Sequence, residues 1–376
     1  MKMELRLQAE FHLHRPALRY YWKQFHHKNF RSALTMFSCT QEESMNLPVA
    51  GEKANVTLNL KGEESAGTRA TGATGDDTQI NNYIAFFFNE QGQLVTKHEV
   101  DKSANTGPDR LTTTTAATEV YVVANVGGLT GSGFEGVVNK DQIAKVVKSL
   151  SAGGSHDTST QTSTNVWMEG TGTVKFTENT GAATVTLKFL AAKVTVTVID
   201  QRKGNTENGA IYIKNDKIVL LNAGGDAKFF DTDKTTQTSF FNGDASYPDP
   251  ANSVVASFLS KTYAESGVHF YAFGNASSTQ PTILAIQATR TEQNGGTSTV
   301  YYPIAFSTLD AGAIKPEAST FAPGYSYEIT LTLTGNVAAG GGNGTVDPEQ
   351  PLVSGDVTVT IEQAKWNPVD VNKEFN

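Results

Sequence analysis

Few residues of this chain combine the type and the spacing that chemistry needs. Ser155-His156-Asp157 holds the three side-chain types of a hydrolase triad, but adjacent residues cannot aim at one another in relay geometry, and the trio lies in a Gly/Ser stretch. Asp231-Thr232-Asp233 begins like a calcium loop, yet it lacks the Gly at the sixth position and the Glu at the twelfth. No His pair has the helical spacing of metal ligands, and no Gly-rich loop leads to a Lys as in a phosphate cradle. The single cysteine, Cys39, excludes an intramolecular disulfide framework and every zinc site that needs two or more thiolates. The expectation is a protein without cofactor, metal or catalytic residues.

Two residues keep chemical interest. Ser32-Ala33-Leu34-Thr35-Met36-Phe37-Ser38 runs directly into Cys39. A bacterial lipoprotein signal ends that way, with a bulky apolar residue three before the Cys and a small one just before it, places that Met36 and Ser38 fill. The competing reading is an incidental thiol in a loose terminus. Arg69 is the only basic residue between Lys61 and Lys97, and it stands in a Gly, Ala, Ser and Thr-rich stretch from Gly62 to Asp77. Such exposed loops are where proteolytic nicking concentrates, so the Arg69-Ala70 bond suits a trypsin-like protease. An ordinary solvated Arg is the alternative.

The 376 residues carry 30 Lys plus Arg against 38 Asp plus Glu, a formal charge of −8. That acidic balance argues against nucleic acid as a partner, because no positive excess is available to neutralise phosphates. The 38% hydrophobic content is ordinary for a folded chain, and the length suffices for two core-bearing domains. No run reaches eighteen apolar residues, so no membrane-spanning helix is expected. Residues 1–31 are compositionally foreign, with seven Lys or Arg, two acids and four of the seven His. They lack the apolar core of an export signal, and residues 1–38 are read as an atypical basic leader.

The elements that would position these residues are mostly strands. Ala54, Val56, Leu58 and Leu60 alternate with polar residues, the period of a strand with one buried face. Tyr83 to Phe88 and Val120 to Val126 are short continuous apolar runs. Ile143, Val146, Val147 and Leu150 fall at helical spacing, with Asn139 and Gln142 as N-cap and capping partner, which predicts a helix over 140–150. Further strands are expected at 166–168, 173–176, 184–189, 211–213, 217–221, 268–273, 282–288, 299–306 and 325–333. Val194, Val196 and Val198 form another alternating run, and a phase slip at Leu190-Ala191 suggests a bulge or a passage between domains. Many short strands with turn signals between them indicate an all-β protein of two sandwich domains with one or few short helices. Ala338 to Gly344 reads as a flexible tether to a last strand containing Val357, Val359 and Ile361, with Trp366 on the alternate phase. Trp167, Tyr301-Tyr302 and Trp366 could make a sugar-stacking surface, although aromatics within strands are more often core.

These features together resemble the Bacteroidetes major fimbrilin family, the Porphyromonas-type subunits of type V fimbrial shafts. The resemblance rests on Cys39 with its polar sequel, Ala54-Asn55-Val56-Thr57-Leu58-Asn59-Leu60-Lys61, and Arg69-Ala70 before Gly75-Asp76-Asp77. It continues through Val122-Val123-Ala124-Asn125, the helix at 140–150, Gln280-Pro281-Thr282-Ile283-Leu284, Tyr302-Pro303-Ile304 and Tyr325-Ser326-Tyr327-Glu328-Ile329-Thr330-Leu331. It implies two tandem transthyretin-like, Greek-key β-sandwich domains, placed at 70–183 and 184–337, after a propeptide over 39–69 and before the tether and donor strand over 338–376. It also implies export as a lipoprotein lipidated at Cys39 and cleavage between Arg69 and Ala70 by an Arg-specific protease. The first strand, with Val56, Leu58 and Leu60, would be displaced. The last strand of a neighbour, with Val357, Val359, Ile361 and Trp366, would fill the vacated groove. Partners implied are identical subunits in a head-to-tail filament, accessory tip and anchor fimbrilins, and host or bacterial surface receptors, in a surface fimbrium serving adhesion and biofilm formation.

The residues themselves are compatible with that exchange. Both strands present three apolar side chains at period two, and burial of three such residues plus a Trp contributes on the order of 6–12 kcal/mol before ordering costs. The alternatives are an accessory tip or anchor fimbrilin, or a non-polymerising surface lipoprotein that binds glycans. Cleavage after Arg69 would remove ten Lys or Arg and seven acids together with Cys39, leaving 307 residues of net charge −11.

Overall fold

Alternation of apolar and polar side chains organises nearly every element of the computed structural model. It describes residues 51–62, 79–102, 107–149, 165–205, 211–237, 240, 259–265, 268–277, 281–305, 322–337, 344–346 and 357–365. In chain order the first half holds β1 (Lys53–Gly62), β2 (Asn82–Phe88), β3 (Leu94–Asp101), β4 (Asp109–Thr114) and β5 (Glu119–Ala124). The short helix α1 (Lys140–Ile143), β6 (Val147–Ser149), β7 (Met168–Thr173), β8 (Lys175–Thr177) and β9 (Thr180–Phe189) follow. The second half holds β10 (Ala191–Asp200), β11 (Tyr212–Leu221), β12 (Asp226–Lys228), β13 (Leu259–Thr262) and β14 (Val268–Phe273). It ends with β15 (Ile283–Thr291), β16 (Thr297–Ala305), β17 (Tyr325–Leu333) and β18 (Val357–Lys365).

The N-terminal domain is one sheet in the order β3-β2-β5-β7-β9-β1-β4, with β8 folded onto β9. Its two edges meet through side chains: Thr96 Oγ1 donates to Thr113 Oγ1 at 2.9 Å, and His98 Nε2 lies 2.6 Å from the Thr112 carbonyl. The sheet therefore rolls almost closed around its apolar face. The uninterrupted run on β2 is explained by burial on both sides, since Tyr83 through Phe88 are all inaccessible. Phe86 packs 5.9 Å from Phe134, and Phe88 lies edge-on to Tyr121 at 5.3 Å. Close approach of β7 to β9 depends on glycine: a Cβ on Gly170 would stand 2.3 Å from the Thr186 carbonyl oxygen, and one on Gly172 2.4 Å from that of Thr184.

The C-terminal domain has two sheets, β14-β10-β17-β18 and β13-β11-β15-β16. Matching β10, β11, β13, β14, β15, β16 and β17 in chain order with β1, β2, β3, β4, β5, β7 and β9 reproduces the strand order of the first domain. In both, the first strand runs parallel to the last, β1 to β9 and β10 to β17. The difference lies at one junction. In the first domain β7 pairs directly with β9, whereas β17 is bordered there by the terminal strand β18, and Tyr301 of β16 exchanges backbone hydrogen bonds with Thr345 at 2.7 and 2.8 Å.

The chain changes sheets at Leu190, between β9 and β10, the point of the phase slip; β9 itself runs unbroken through residue 183. The expected helix over 140–150 is corrected to the four residues of α1. Its start is as read, since the Asn139 side chain accepts from the Gln142 N–H at 2.9 Å, while Gln142 Oε1 accepts from the Val138 N–H. The rest fails because Val147, Lys148 and Ser149 instead pair with Lys228, Ala227 and Asp226 of β12. β-branched Val146 and Val147 favour that extended backbone, and the cross-domain pairing overrides a four-residue periodicity.

This pairing of β6 with β12 clasps the two domains. Beside it, Phe229 is fully buried, 5.1 Å from Phe134 and 6.1 Å from Trp167, and Trp167 stacks 5.8 Å from Phe273. Glu169 of β7 reaches across to Lys234 at 2.7 Å and accepts the Phe230 N–H at 2.5 Å. Burial pushes the Glu169 carboxyl above its ordinary value in spite of Lys234.

Candidate strand-exchange site

Strict alternation decides how β1 sits. Ala54, Val56, Leu58 and Leu60 all point into the core and are buried, while Asn55 is exposed and Thr57, Asn59 and Lys61 are half-covered on the other face. The strand is held on both sides. Val56 lies in register with Gly181 of β9 and Leu111 of β4, and Leu58 with Ala183 and Asp109. Leu60 pairs with Val185 and Gly62 with Leu187, beyond the end of β4. Lifting β1 out would leave a slot between β9 and β4 floored by the core residues that those side chains now cover.

A buried polar cluster closes one end of the slot. Asp109, opposite Leu58, binds Lys102 Nζ at 2.8 Å and accepts from the Tyr83 hydroxyl at 2.6 Å. Burial, with the carboxylate as acceptor, pushes the Tyr83 hydroxyl well above its ordinary value. The group is a tie between β2 and the β3–β4 connection, since a desolvated cation and anion meet each other and a hydroxyl. Sequence reasoning missed it; the only signal was a charged residue at each end of a short connection.

The complementary element, β18, borders its sheet and pairs with β17 alone among the described residues. Their antiparallel register sets Ile361 opposite Ile329, Val359 opposite Leu331 and Val357 opposite Leu333. Ile329, Leu331 and Leu333 are buried. Val56, Leu58 and Leu60 thus share one slot, and Val357, Val359 and Ile361 share one face of an edge strand. Cys39, Arg69, Ala70 and Trp366 lie outside the described residues, as does Ser155-His156-Asp157. Arg69 falls in the stretch of chain that joins β1 to β2.

The remaining candidates for chemistry have structural duties. Asp233 caps a turn, accepting the N–H groups of Thr235 and Thr236 and both their hydroxyls, and these bonds, the Thr236 hydroxyl first, hold its carboxyl far below the usual range. Trp167, Tyr301 and Tyr302 are buried, so they offer no exposed sugar-stacking face. Tyr302 accepts from Arg202 Nη1 at 2.8 Å, and the buried Arg202 forks onto the exposed Asp200, joining β11 and β16 to the end of β10. Among the described residues no group of three or more His, Cys, Asp or Glu could hold a metal ion, and no helix is long and apolar enough to cross a membrane.

Two all-β domains share one strand order, the first with its opening strand seated between β9 and β4 and the second bordered by β18. Residues 54–215 match the sequence model of the major fimbrial subunit protein (FimA), and residues 191–366 match that of the FimA-like major fimbrial subunit protein, C-terminal domain. The crystal structure of a candidate cell adhesion protein from Bacteroides eggerthii is similar with a TM-score of 0.71 and 38% identity, over 86% of this chain and 100% of that one. The chain belongs to the FimA-like major fimbrial subunit family. The fold is shared with a fimbrilin (FimA) from Porphyromonas gingivalis, at a TM-score of 0.61, 20% identity, and coverage of 85% and 99%. It is shared too with a candidate cell adhesion protein from Parabacteroides distasonis, at 0.55, 16%, and coverage of 86% and 99%. Comparison with curated proteins gives no match. The family is one of structural subunits, not enzymes, so the protein is a fimbrial subunit of cell-surface fimbriae that polymerises with other fimbrilins.

Proposed function

We propose that this chain is the repeating subunit of a fimbrial shaft, made as a precursor lipidated at Cys39 and matured by cleavage between Arg69 and Ala70. Cleavage cuts the link between β1 and the rest of the N-terminal domain, so that Val56, Leu58 and Leu60 can leave the slot between β9 and β4. The terminal strand of a second copy, with Val357, Val359 and Ile361 inward and Trp366 beyond, then fills it. The observation that carries this reading is the placement of β1: an interior strand, paired on both sides, whose only covalent continuation to β2 passes through the Arg69 segment.

Physical reasoning supports the sequence of events. While β1 is seated the slot is full and the precursor has no apolar opening to offer. Once it is gone, a row of core side chains faces water, and an extended segment of matching period recovers both the burial and the ladder hydrogen bonds. Each subunit then gives one strand and takes one, a heterologous contact that propagates as a filament. The Arg-specific protease, tip and anchor fimbrilins and surface receptors are the further partners of this reading. The two sheet systems on either side of Leu190 act as its receiving and donating domains.

The decisive experiment is Arg69→Ala. Purified variant precursor treated with trypsin-like protease should stay monomeric by size-exclusion chromatography and electron microscopy, while the parent forms filaments. Normal filaments from the variant would sink the mechanism.

A further inference from the structure

The sizes of the residues lining the slot define a direction for whatever fills it. We propose that the donor strand lies antiparallel to β9, opposite in polarity to the β1 it replaces. In this register Ile361 stands against Gly181, Val359 against Ala183, Val357 against Val185 and Gly355 against Leu187. The inference rests on the strand-exchange reading above and adds its polarity and register.

Along β9 the inward residues grow steadily from Gly181 through Ala183 and Val185 to Leu187, all four buried. β1 answers this gradient with Val56, Leu58, Leu60 and Gly62 in register, so the smallest inward residue of the strand lies beside the leucine. The place that a Gly181 Cβ would take is filled from two sides, with Val56 Cγ2 3.0 Å from it and the Phe176 ring 2.7 Å from it. A replacement must therefore bring bulk to Gly181 and Ala183 and almost nothing to Leu187.

The apolar phase of the terminal segment reads Gly355, Val357, Val359, Ile361, Gln363 and Lys365. Run against β9, it places its largest apolar residue at the glycine and its own glycine at Leu187. Gln363 then takes the buried place of Ala54, opposite Thr113, and Lys365 takes the exposed place of Glu52. Run parallel, as β1 is, with Val357 at Gly181, it drives the Gln363 side chain against Leu187, at the place where Gly62 brings none. Sliding that arrangement by two residues puts Ile361 there instead and sets Gly355 against Gly181, leaving a void where Val56 stood. On the β9 side the reversed strand makes the antiparallel ladder that β18 makes with β17, the counterpart of β9 in the second domain, while its ladder with β4 becomes parallel.

Engineered disulfides test the polarity. In a Cys39→Ser background, Thr186→Cys faces residue 356 in the antiparallel register and residue 362 in the parallel one. Full-length Thr186→Cys/Asp356→Cys and Thr186→Cys/Glu362→Cys chains are cut with trypsin, checked for filaments by electron microscopy, oxidised and run on non-reducing gels. The first pair should give a ladder of covalent multimers, and the second only monomer. The opposite result overturns the proposal. Filaments without a ladder from either pair overturn the register while leaving strand exchange intact, and no filaments from the cut Cys39→Ser parent would remove both. A size swap supplies a readout independent of cysteines: Gly355→Leu should slow filament growth at least tenfold, and Leu187→Ala in the same chain should restore it. Growth unaffected by Gly355→Leu counts against the antiparallel register.

Discussion

Weakening the first strand should hasten assembly, although it destabilises the precursor. Leu58 is the test residue, being 1% exposed and seated between Ala183 and Asp109. Truncation of a buried Leu to Ala costs about 2–5 kcal/mol, the spread reflecting how far the site collapses. At about 1.4 kcal/mol per factor of ten, this shifts the balance between seated and released strand roughly 30- to 4,000-fold. Uncut Leu58→Ala precursor should therefore unfold at lower urea, its midpoint displaced by a ΔΔG in that range. After cleavage, the lag before light scattering rises should shorten at least about tenfold, with filaments confirmed by electron microscopy. Thr57→Ala, on the outer face of the same strand, should change neither quantity appreciably. A lowered urea midpoint with an unchanged lag refutes the reasoning, because it means that departure of β1 does not gate filament growth.

Other expectations follow from the contacts above. Phe229→Ala removes the aromatic plug of the clasp, should cost about 3–5 kcal/mol, and should split calorimetric unfolding into two transitions, one per domain; a single unshifted transition contradicts the role of the clasp. Glu169 has a carboxyl raised above its value of 4.5, so the folded state holds that proton more tightly than the unfolded chain. Stability contributed by this group is greatest at low pH and declines as pH climbs from 4.5 through the raised folded value, and Glu169→Gln should flatten that slope in urea midpoints measured across pH. Deleting residues 353–376 should give a subunit that accepts a donor strand but cannot supply one, so that added truncated chain caps growing filaments; long filaments of the truncated chain alone would contradict the role of β18.

The strands with clean period-two alternation were legible in sequence. Along β1, β9 and β10 a buried face repeats every second residue, and the slip at Leu190 is where the chain leaves one core face for another. The doubly buried β2 was legible as an apolar run because aromatic residues cover both its sides. By contrast β3 and β4 were not expected at all. β3 is half-exposed throughout, with Lys97, His98 and Glu99 along it, and β4 buries Asp109 and Thr113 as well as Leu111, so neither carries a hydrophobic signature. β6 was misread because three residues of a cross-domain ladder have no local period, only a partner far along the chain. Of the exchange site, the apolar faces of β1 and β18 were visible beforehand. The slot between β9 and β4, the graded lining and the Asp109–Lys102–Tyr83 tie required knowing which strands are neighbours.

The clasp between β6 and β12 has a mechanical consequence. In the head-to-tail filament proposed above, force transmitted along it would enter each subunit at one domain and leave at the other. Without the clasp, the short connection at Leu190 would be a swivel, and a tugged filament would lengthen at every subunit. With a backbone ladder, a buried Phe229 and a desolvated Glu169–Lys234 pair bridging the two halves beside that connection, each subunit resists as a single stiff link. Bending and recoil would then be left to the joints between links, so that the persistence of such a fibre would be set by those joints and not by the domains within each link.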